Sequence, residues 1–262
     1  MTGSGVGRVS FLILKLQKNK KAYILFMNNT IQNMNNTIQN IKIDEIRLKI
    51  VETVSRTPFE EFTIEKIKEN IDEKANYPTI YRKVDSLIKE GILSKSMYGM
   101  ASQIKINLKN EKTISLLSLI ETKKFELFFS KLKGVLLTSI NEVTKNARDI
   151  PEFKCVLIFG SYSKRTYTKK SDMDILVIYE PSRFIPKENY EVYIKEIKSA
   201  MIGVFRVNEL RGGPKINPIM VSSEEHKEMI TNKEINVAKE TLINHLILKG
   251  YSGYWREISE CI

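Results

Sequence analysis

Between residues 41 and 109 the apolar positions recur first at helical spacing and then at strand spacing. Ile43, Ile46, Ile50 and Val54 line one side of a helix that stops at Thr57-Pro58. A second, shorter helix is predicted over 63–70, with Ile64, Ile67 and Ile71 on one face. Tyr77-Pro78-Thr79 opens a third. Pro78 suits its first turn, Ile80, Val84, Leu87 and Ile88 form its apolar face, and Gly91 ends it. Ile92 to Lys95 and Gln103 to Ile106 then read as two strands around a tip at Tyr98-Gly99-Met100.

From Glu111 to Asn146 apolar residues alternate with lysines and glutamates, which predicts an amphipathic helical connector broken near Lys133-Gly134. Its stripe of Phe125, Phe128 and Phe129 fits a core or a dimer seam. Cys155 to Phe159 is an apolar run closed by Gly160-Ser161, and Ile175 to Tyr179 is a second one, opened by Asp172-Met173-Asp174. Beyond it a helix is predicted over 189–205, with Tyr190, Tyr193, Ile194, Ile197 and Met201 inward. A turn over 209–214 and a strand over 216–221 follow. The tail reads as helical over 223–230 and 236–255 with a break at Gly250, and Trp255 as a packing anchor.

Residues 1–40 differ in kind. They hold five basic side chains and no acid, and Asn28-Asn-Thr-Ile-Gln-Asn33 recurs as Asn35 to Asn40, each copy after a methionine, Met27 or Met34. The segment is expected to be an extension outside the fold, disordered or preceding the true start. Its apolar runs, 9–16 and 22–27, fall short of the roughly 18 residues that a membrane span needs. No membrane association and a cytoplasmic location are expected. The net charge of +11 fits nucleic-acid or nucleotide binding. Residues 41–109 nevertheless carry 13 basic against 11 acidic side chains, so any nucleic-acid affinity there must come from a local patch. Cys155 reads as a buried inert thiol, while His226 and His245 lack metal-ligand spacing and default to surface or core-edge roles.

The densest chemistry lies between the two apolar runs. If Met173 to Tyr179 is a strand, Asp172 and Asp174 project to one side and converge. Two hard oxygen ligands suit Mg²⁺, which is commonly held by one or two carboxylates together with substrate phosphates. The Gly160-Ser161 turn can offer backbone N–H groups and a hydroxyl to those phosphates.

The stretch Gly160-Ser161-Tyr162-Ser163-Lys164-Arg165, followed by Ser171-Asp172-Met173-Asp174-Ile175, resembles the DNA polymerase β superfamily of nucleotidyltransferases, particularly its minimal nucleotidyltransferase group of archaeal type. The family pattern is a strand, Gly-Ser-x-Ala-Lys/Arg-Gly, a variable loop, Ser-Asp-x-Asp-Leu and a second strand. Ser163 replaces the family alanine and Arg165 the family glycine. The resemblance implies that Asp172 and Asp174 are catalytic and bind Mg²⁺ in a two-metal site. It also implies that Gly160, Ser161, Lys164 and Arg165 bind a nucleoside triphosphate, ATP first among them. Family members with full polymerase-type chemistry carry a third acid on a later strand. Here that strand, Lys215 to Val221, has none, leaving Asn217 or one of Glu209, Glu224 and Glu225 as substitutes. Residues 235–255 look like the closing helix of archaeal members.

Helix, helix, turn, helix and hairpin resemble the winged helix-turn-helix of transcriptional regulators, and Pro78 to Leu93 is similar to their recognition helix and first wing strand. The resemblance implies that Thr79, Tyr81, Arg82 and Lys83 face DNA, with Lys95 of the wing on a phosphate. A homodimer would place two recognition helices on one operator. The expected fold class is α+β, with an extension over 1–40, a winged helix-turn-helix over 41–109, a helical connector over 110–148, and a polymerase-β-like mixed sheet flanked by helices over 149–262. The expected function is Mg²⁺-dependent transfer of a nucleoside monophosphate to an acceptor hydroxyl on protein, nucleic acid or a small molecule, in a DNA-binding chain. Two alternatives stand beside it. One is a non-enzymatic, nucleotide-sensing transcriptional regulator; the other is an antitoxin-type enzyme that AMPylates a HEPN-type toxin partner.

Overall fold

The computed structural model describes residues 44–71, 75–99, 101–150, 152–180 and 189–262. The expectations for residues 1–40, and those for Ile43, Met100 and the side chain of Tyr190, lie outside them.

Helix α1 spans Glu45–Ser55, and Asp44 caps it by accepting the Arg47 N–H at 2.9 Å. Helix α2, Ile64–Asn70, is capped by Thr63, and α3, Tyr77–Lys89, by Asn76, with Pro78 in its first turn. Ile50, Val51, Val54, Ile67, Ile80, Val84 and Leu87 are buried together with one charged residue, Arg47. Its guanidinium is neutralised by Glu90, and it donates to Ser86 Oγ at 3.3 Å, which is how a cation sits inside this bundle. Strands β1, Leu93–Tyr98, and β2, Ala101–Ile106, pair antiparallel from Leu93↔Ile106 to Tyr98↔Ala101. Phe62 bridges Ile104, tying the α1–α2 connection to this hairpin.

The amphipathic stretch forms two helices, α4, Glu111–Phe129, and α5, Gly134–Arg148, with Gly134 at φ +57° where the expected break falls. Four strands follow: β3, Phe153–Phe159; β4, Met173–Tyr179; β5, Ile216–Ser222; and β6, Leu246–Lys249. Their order is β5-β4-β3-β6; β4 and β5 run parallel, and the other pairs antiparallel. The helices of this half are the single turn α6, Gly160–Ser163, then α7, Tyr190–Leu210, α8, Ser223–Thr231, α9, Val237–Ile243, and α10, Tyr251–Ser259. The result is a mixed sheet flanked by helices.

Alternation along the strands sorts the side chains into two layers. Met173, Ile175 and Val177 of β4 share a core with Phe125 and Phe128 of α4, Ile140 and Val143 of α5, and Met201 and Phe205 of α7. The two connector helices are therefore part of the packing of the sheet. On the other side α8 packs on β4, while α10 packs on β3 and α4, burying Tyr254, Trp255 and Ile258.

Three expectations need correction. The tail is not helical through 236–255: Leu246 to Lys249 is a strand on the free edge of β3, with Leu246, Ile247 and Leu248 buried. Gly250, at φ +83°, turns the chain into α10, and a Cβ there would stand 2.0 Å from the Lys154 carbonyl oxygen. Pairing with the sheet overrides the helical preference of Leu-Ile-Leu. Helix α7 also runs further than expected, to Leu210.

The histidines, finally, are in the core. His226 Nδ1 lies 2.6 Å from Glu257 Oε1, and His245 Nε2 lies 3.1 Å from Glu121 Oε2, and both rings neighbour Tyr254. Burial pushes the Glu121 carboxyl up, but the His245 and Lys124 charges outweigh it and bring it down to about 2. Cys155 is a free buried thiol, and burial pushes it well above its usual range.

Candidate active site

Strand β3 ends at Phe159, whose pairing partner on β4 is Asp174. The next residue, Gly160, has φ +67°, and a Cβ on it would lie 2.6 Å from Asp174 Oδ2. Glycine suits the left-handed backbone, and any Cβ here would have to turn the Asp174 carboxylate aside. The chain then makes the one turn of α6 and reverses. Arg165 N–H donates to the Tyr162 carbonyl at 3.2 Å and Thr166 N–H to the Ser161 carbonyl at 2.9 Å, the bonding of a Schellman cap. That cap requires a left-handed residue, and Arg165 is the one described non-glycine residue with positive φ, at 59°. A side chain held there costs about 1–2 kcal/mol.

The loop returns through a turn in which Ser171 Oγ accepts the Thr168 N–H at 2.9 Å. It delivers Asp172, exposed, and Asp174, half-buried, to the start of β4. Parallel pairing sets Asp174 beside Asn217 and Met173 beside Ile216. Asn217 Nδ2 donates to Asp174 Oδ1 at 3.1 Å, and Lys215 Nζ donates to Asp172 Oδ2 at 3.1 Å. Two carboxylates, one ammonium, one amide and a glycine turn therefore meet at one end of the sheet. Ser161 is half-buried in the turn, and Lys164 reaches across to Glu240 of α9 at 2.8 Å. The Arg165 side chain is exposed and borders a groove with Tyr167.

The candidate substitutes for a third acid lie elsewhere. Glu225 closes a capping box, its Oε2 accepting the Ser222 N–H at 2.7 Å. That bond, before any other influence, holds its carboxyl below the usual range. Ser222 pairs with Tyr179, at the far end of β4 from Asp174, which takes both Glu224 and Glu225 away from the site. Glu209 is exposed in the last turn of α7. Among the described residues no group of three or more His, Cys, Asp and Glu side chains is placed to share a metal ion. Lys215 is the site residue that the sequence reading missed. Its signal is its place immediately before β5, where its carbonyl accepts the Met173 N–H at 2.8 Å.

The other expected set lies on α3 and β1. Tyr81, Arg82 and Lys95 are exposed and Thr79 is half-buried, whereas Lys83 is ion-paired with Asp44 at the cap of α1.

Residues 138–214 match the family model described as Polymerase beta, Nucleotidyltransferase. That match begins inside α5 and ends before β5. No curated protein matches the chain. A solved structure described as "Crystal structure of the toxin-antitoxin with AMP-PNP" is similar at 19% identity, covering 46% of this chain and 85% of its own, with a TM-score of 0.24. Among the described residues no helix is long and apolar enough to cross a membrane.

Proposed function

We propose that the chain is a nucleotidyltransferase that moves a nucleoside monophosphate from a nucleoside triphosphate, ATP first among them, onto an acceptor hydroxyl. The observation that carries this reading is the contact between Gly160 and Asp174: a Cβ on the turn would lie 2.6 Å from Asp174 Oδ2, and Asp172 stands immediately before the strand that carries Asp174. The stretch matched by the family model includes all three residues.

The donor set fits one Mg²⁺, which Asp172 and Asp174 would hold. When bound, the ion neutralises phosphate charge and orients the reacting oxygens. The triphosphate would bring further oxygens and most of the negative charge, but the neighbour of Asp174 on β5 is the neutral Asn217, which offers a second ion no third protein carboxylate. A single ion therefore replaces the two-metal expectation in this reading. Lys215, already on Asp172, supplies the remaining positive charge at the site. Backbone N–H groups of the Gly160–Ser163 turn and the Ser161 hydroxyl grip the β- and γ-phosphates, and Lys164 joins them by releasing Glu240. The acceptor oxygen bonds to the α-phosphorus, the bond from that phosphorus to the bridging oxygen breaks, and pyrophosphate leaves. The acceptor proton passes to water. Positioning and charge neutralisation carry most of the catalysis in such a reaction.

The 44–109 half is read as a winged helix that docks α3 on DNA through Tyr81 and Arg82, with Lys95 on a phosphate and Lys83 retained by Asp44. A second reading, a nucleotide-sensing regulator without transfer, is favoured by one observation, the amide of Asn217 beside Asp174 where a further acid would assist chemistry. Label transfer from a triphosphate radiolabelled at its α-phosphate separates the two. Transfer abolished in Asp174→Ala supports the enzyme, and transfer retained in that variant sinks it. The size of the labelled product identifies the acceptor class, a HEPN-type toxin partner included.

A further inference from the structure

Arg165 is strained for no gain in folding, since the cap it occupies is one that glycine makes without strain. Strain kept in a native structure points to a use for the side chain. That side chain borders a groove of about 360 Å³ with Phe128 at the end of α4, Lys131, Leu132 and Tyr167. The volume falls in the roughly 300–1,000 Å³ range of small-molecule sites.

Phe128 and Leu132 are buried and form an apolar floor. Tyr167 is stacked on Tyr162, with ring centroids 4.4 Å apart and an interplanar angle of 3°, which fixes it as a rigid aromatic wall. Lys131 and Arg165 are exposed, and neither side chain has a carboxylate partner among the described residues. The groove is separate from the carboxylates. Phe128, Leu132 and Tyr162 belong to the core that includes Met173 and Ile175, so they lie on the opposite face of the sheet from Asp174. It sits on the other flank of the loop that joins the Gly160 turn to Asp172.

We propose that this groove binds a nucleotide unit, with the base against Tyr167 and Phe128 and a phosphate on Lys131 and Arg165. Its ligand class rests on the nucleotidyl-transfer reading. An aromatic wall flanked by cations is the combination that holds single nucleotide units without sequence preference. The same chemistry comes from two sources, a free mononucleotide or one residue of a single-stranded nucleic acid, and the groove would place either against the loop that carries the catalytic residues.

The test uses the full chain without divalent metal, so that binding at the carboxylates does not contribute. Fluorescence anisotropy is read with a labelled single-stranded oligonucleotide and, separately, a labelled AMP, for wild type, Arg165→Gly, Lys131→Ala and, as a control outside the groove, the exposed Lys233→Ala. Arg165→Gly is expected to melt about 2–8 °C higher, yet to bind about tenfold more weakly, as is Lys131→Ala, while Lys233→Ala leaves the groove ligand unaffected. Weakening with the oligonucleotide alone identifies a strand as the source, and weakening with AMP identifies a free nucleotide. Wild type that binds neither probe, or Arg165→Gly that binds both as tightly as wild type, overturns the proposal. Failure of label transfer at the carboxylates would leave this metal-free readout unaltered, so the two readings fail separately.

Discussion

Gly160→Ala tests whether the turn exists to seat the Asp174 carboxylate. The methyl group would arrive 2.6 Å from Asp174 Oδ2 on a backbone at φ +67°. The backbone contribution is that of an L-residue in the left-handed region, about 1–2 kcal/mol. The clash adds little to it, because the atom in the way is the end of a half-buried side chain that can rotate. For about 220 residues each kcal/mol lowers the melting temperature by about 2–4 °C, so a loss of about 2–8 °C is expected. Rotation of the carboxylate, in contrast, removes one of two metal oxygens, and Mn²⁺ affinity measured by calorimetry should fall at least tenfold. Gly250→Ala provides the contrast. Its backbone has a similar φ of +83°, but the obstacle is the Lys154 backbone carbonyl at 2.0 Å, which cannot rotate away. Gly250→Ala should be far more destabilised than Gly160→Ala, without a specific loss of metal affinity in whatever protein remains folded. Gly160→Ala that binds Mn²⁺ like wild type would refute the role given to the turn.

Two further outcomes follow from the same geometry. Asn217→Asp puts a third carboxylate beside Asp174 and should raise the Mn²⁺ stoichiometry, read by paramagnetic resonance with a non-hydrolysable triphosphate present, from one ion towards two; an unchanged stoichiometry would argue against Asn217 as the residue that limits the site. Glu121→Gln removes one partner of a buried ion pair and should cost about 3–5 kcal/mol in urea unfolding at neutral pH. Because the folded Glu121 carboxyl is held down at about 2 against an ordinary value of 4.5, its contribution is fully present above about 4.5 and is lost as pH falls towards about 2. The gap between wild type and variant should narrow over that window, and a gap that stays constant would contradict the pairing with His245 and Lys124.

Local pattern carried much of this fold. The three N-terminal helices fall where the isoleucine spacing and Pro78 place them, and strand β4 starts at Met173 as expected. What escaped the sequence reading depends on contacts distant in the chain. Leu246-Ile-Leu-Lys249 has no alternation of its own, and it becomes a strand because the edge of β3 is available to pair. Both histidines are buried where Glu121 and Glu257, far from them in sequence, come in to pair with them. Arg47 is inside in the same way.

At the candidate site, Asp172, Asp174, Gly160 and Ser161 were legible from one short motif. Lys215 was not, since only the parallel register of β5 brings it to Asp172. Register likewise disposes of Glu224 and Glu225, which closeness in sequence had kept as candidates.

The most direct test of nucleotidyl transfer incubates the purified full chain with Mg²⁺, each nucleoside triphosphate radiolabelled at the α-phosphate, and cell extract as the source of acceptor. Wild type should transfer label to a discrete product, and the Asp172→Ala/Asp174→Ala double variant, shown to be folded by circular dichroism, should transfer none. Equal labelling by both proteins, or no labelling by wild type with any of the triphosphates, would contradict the account.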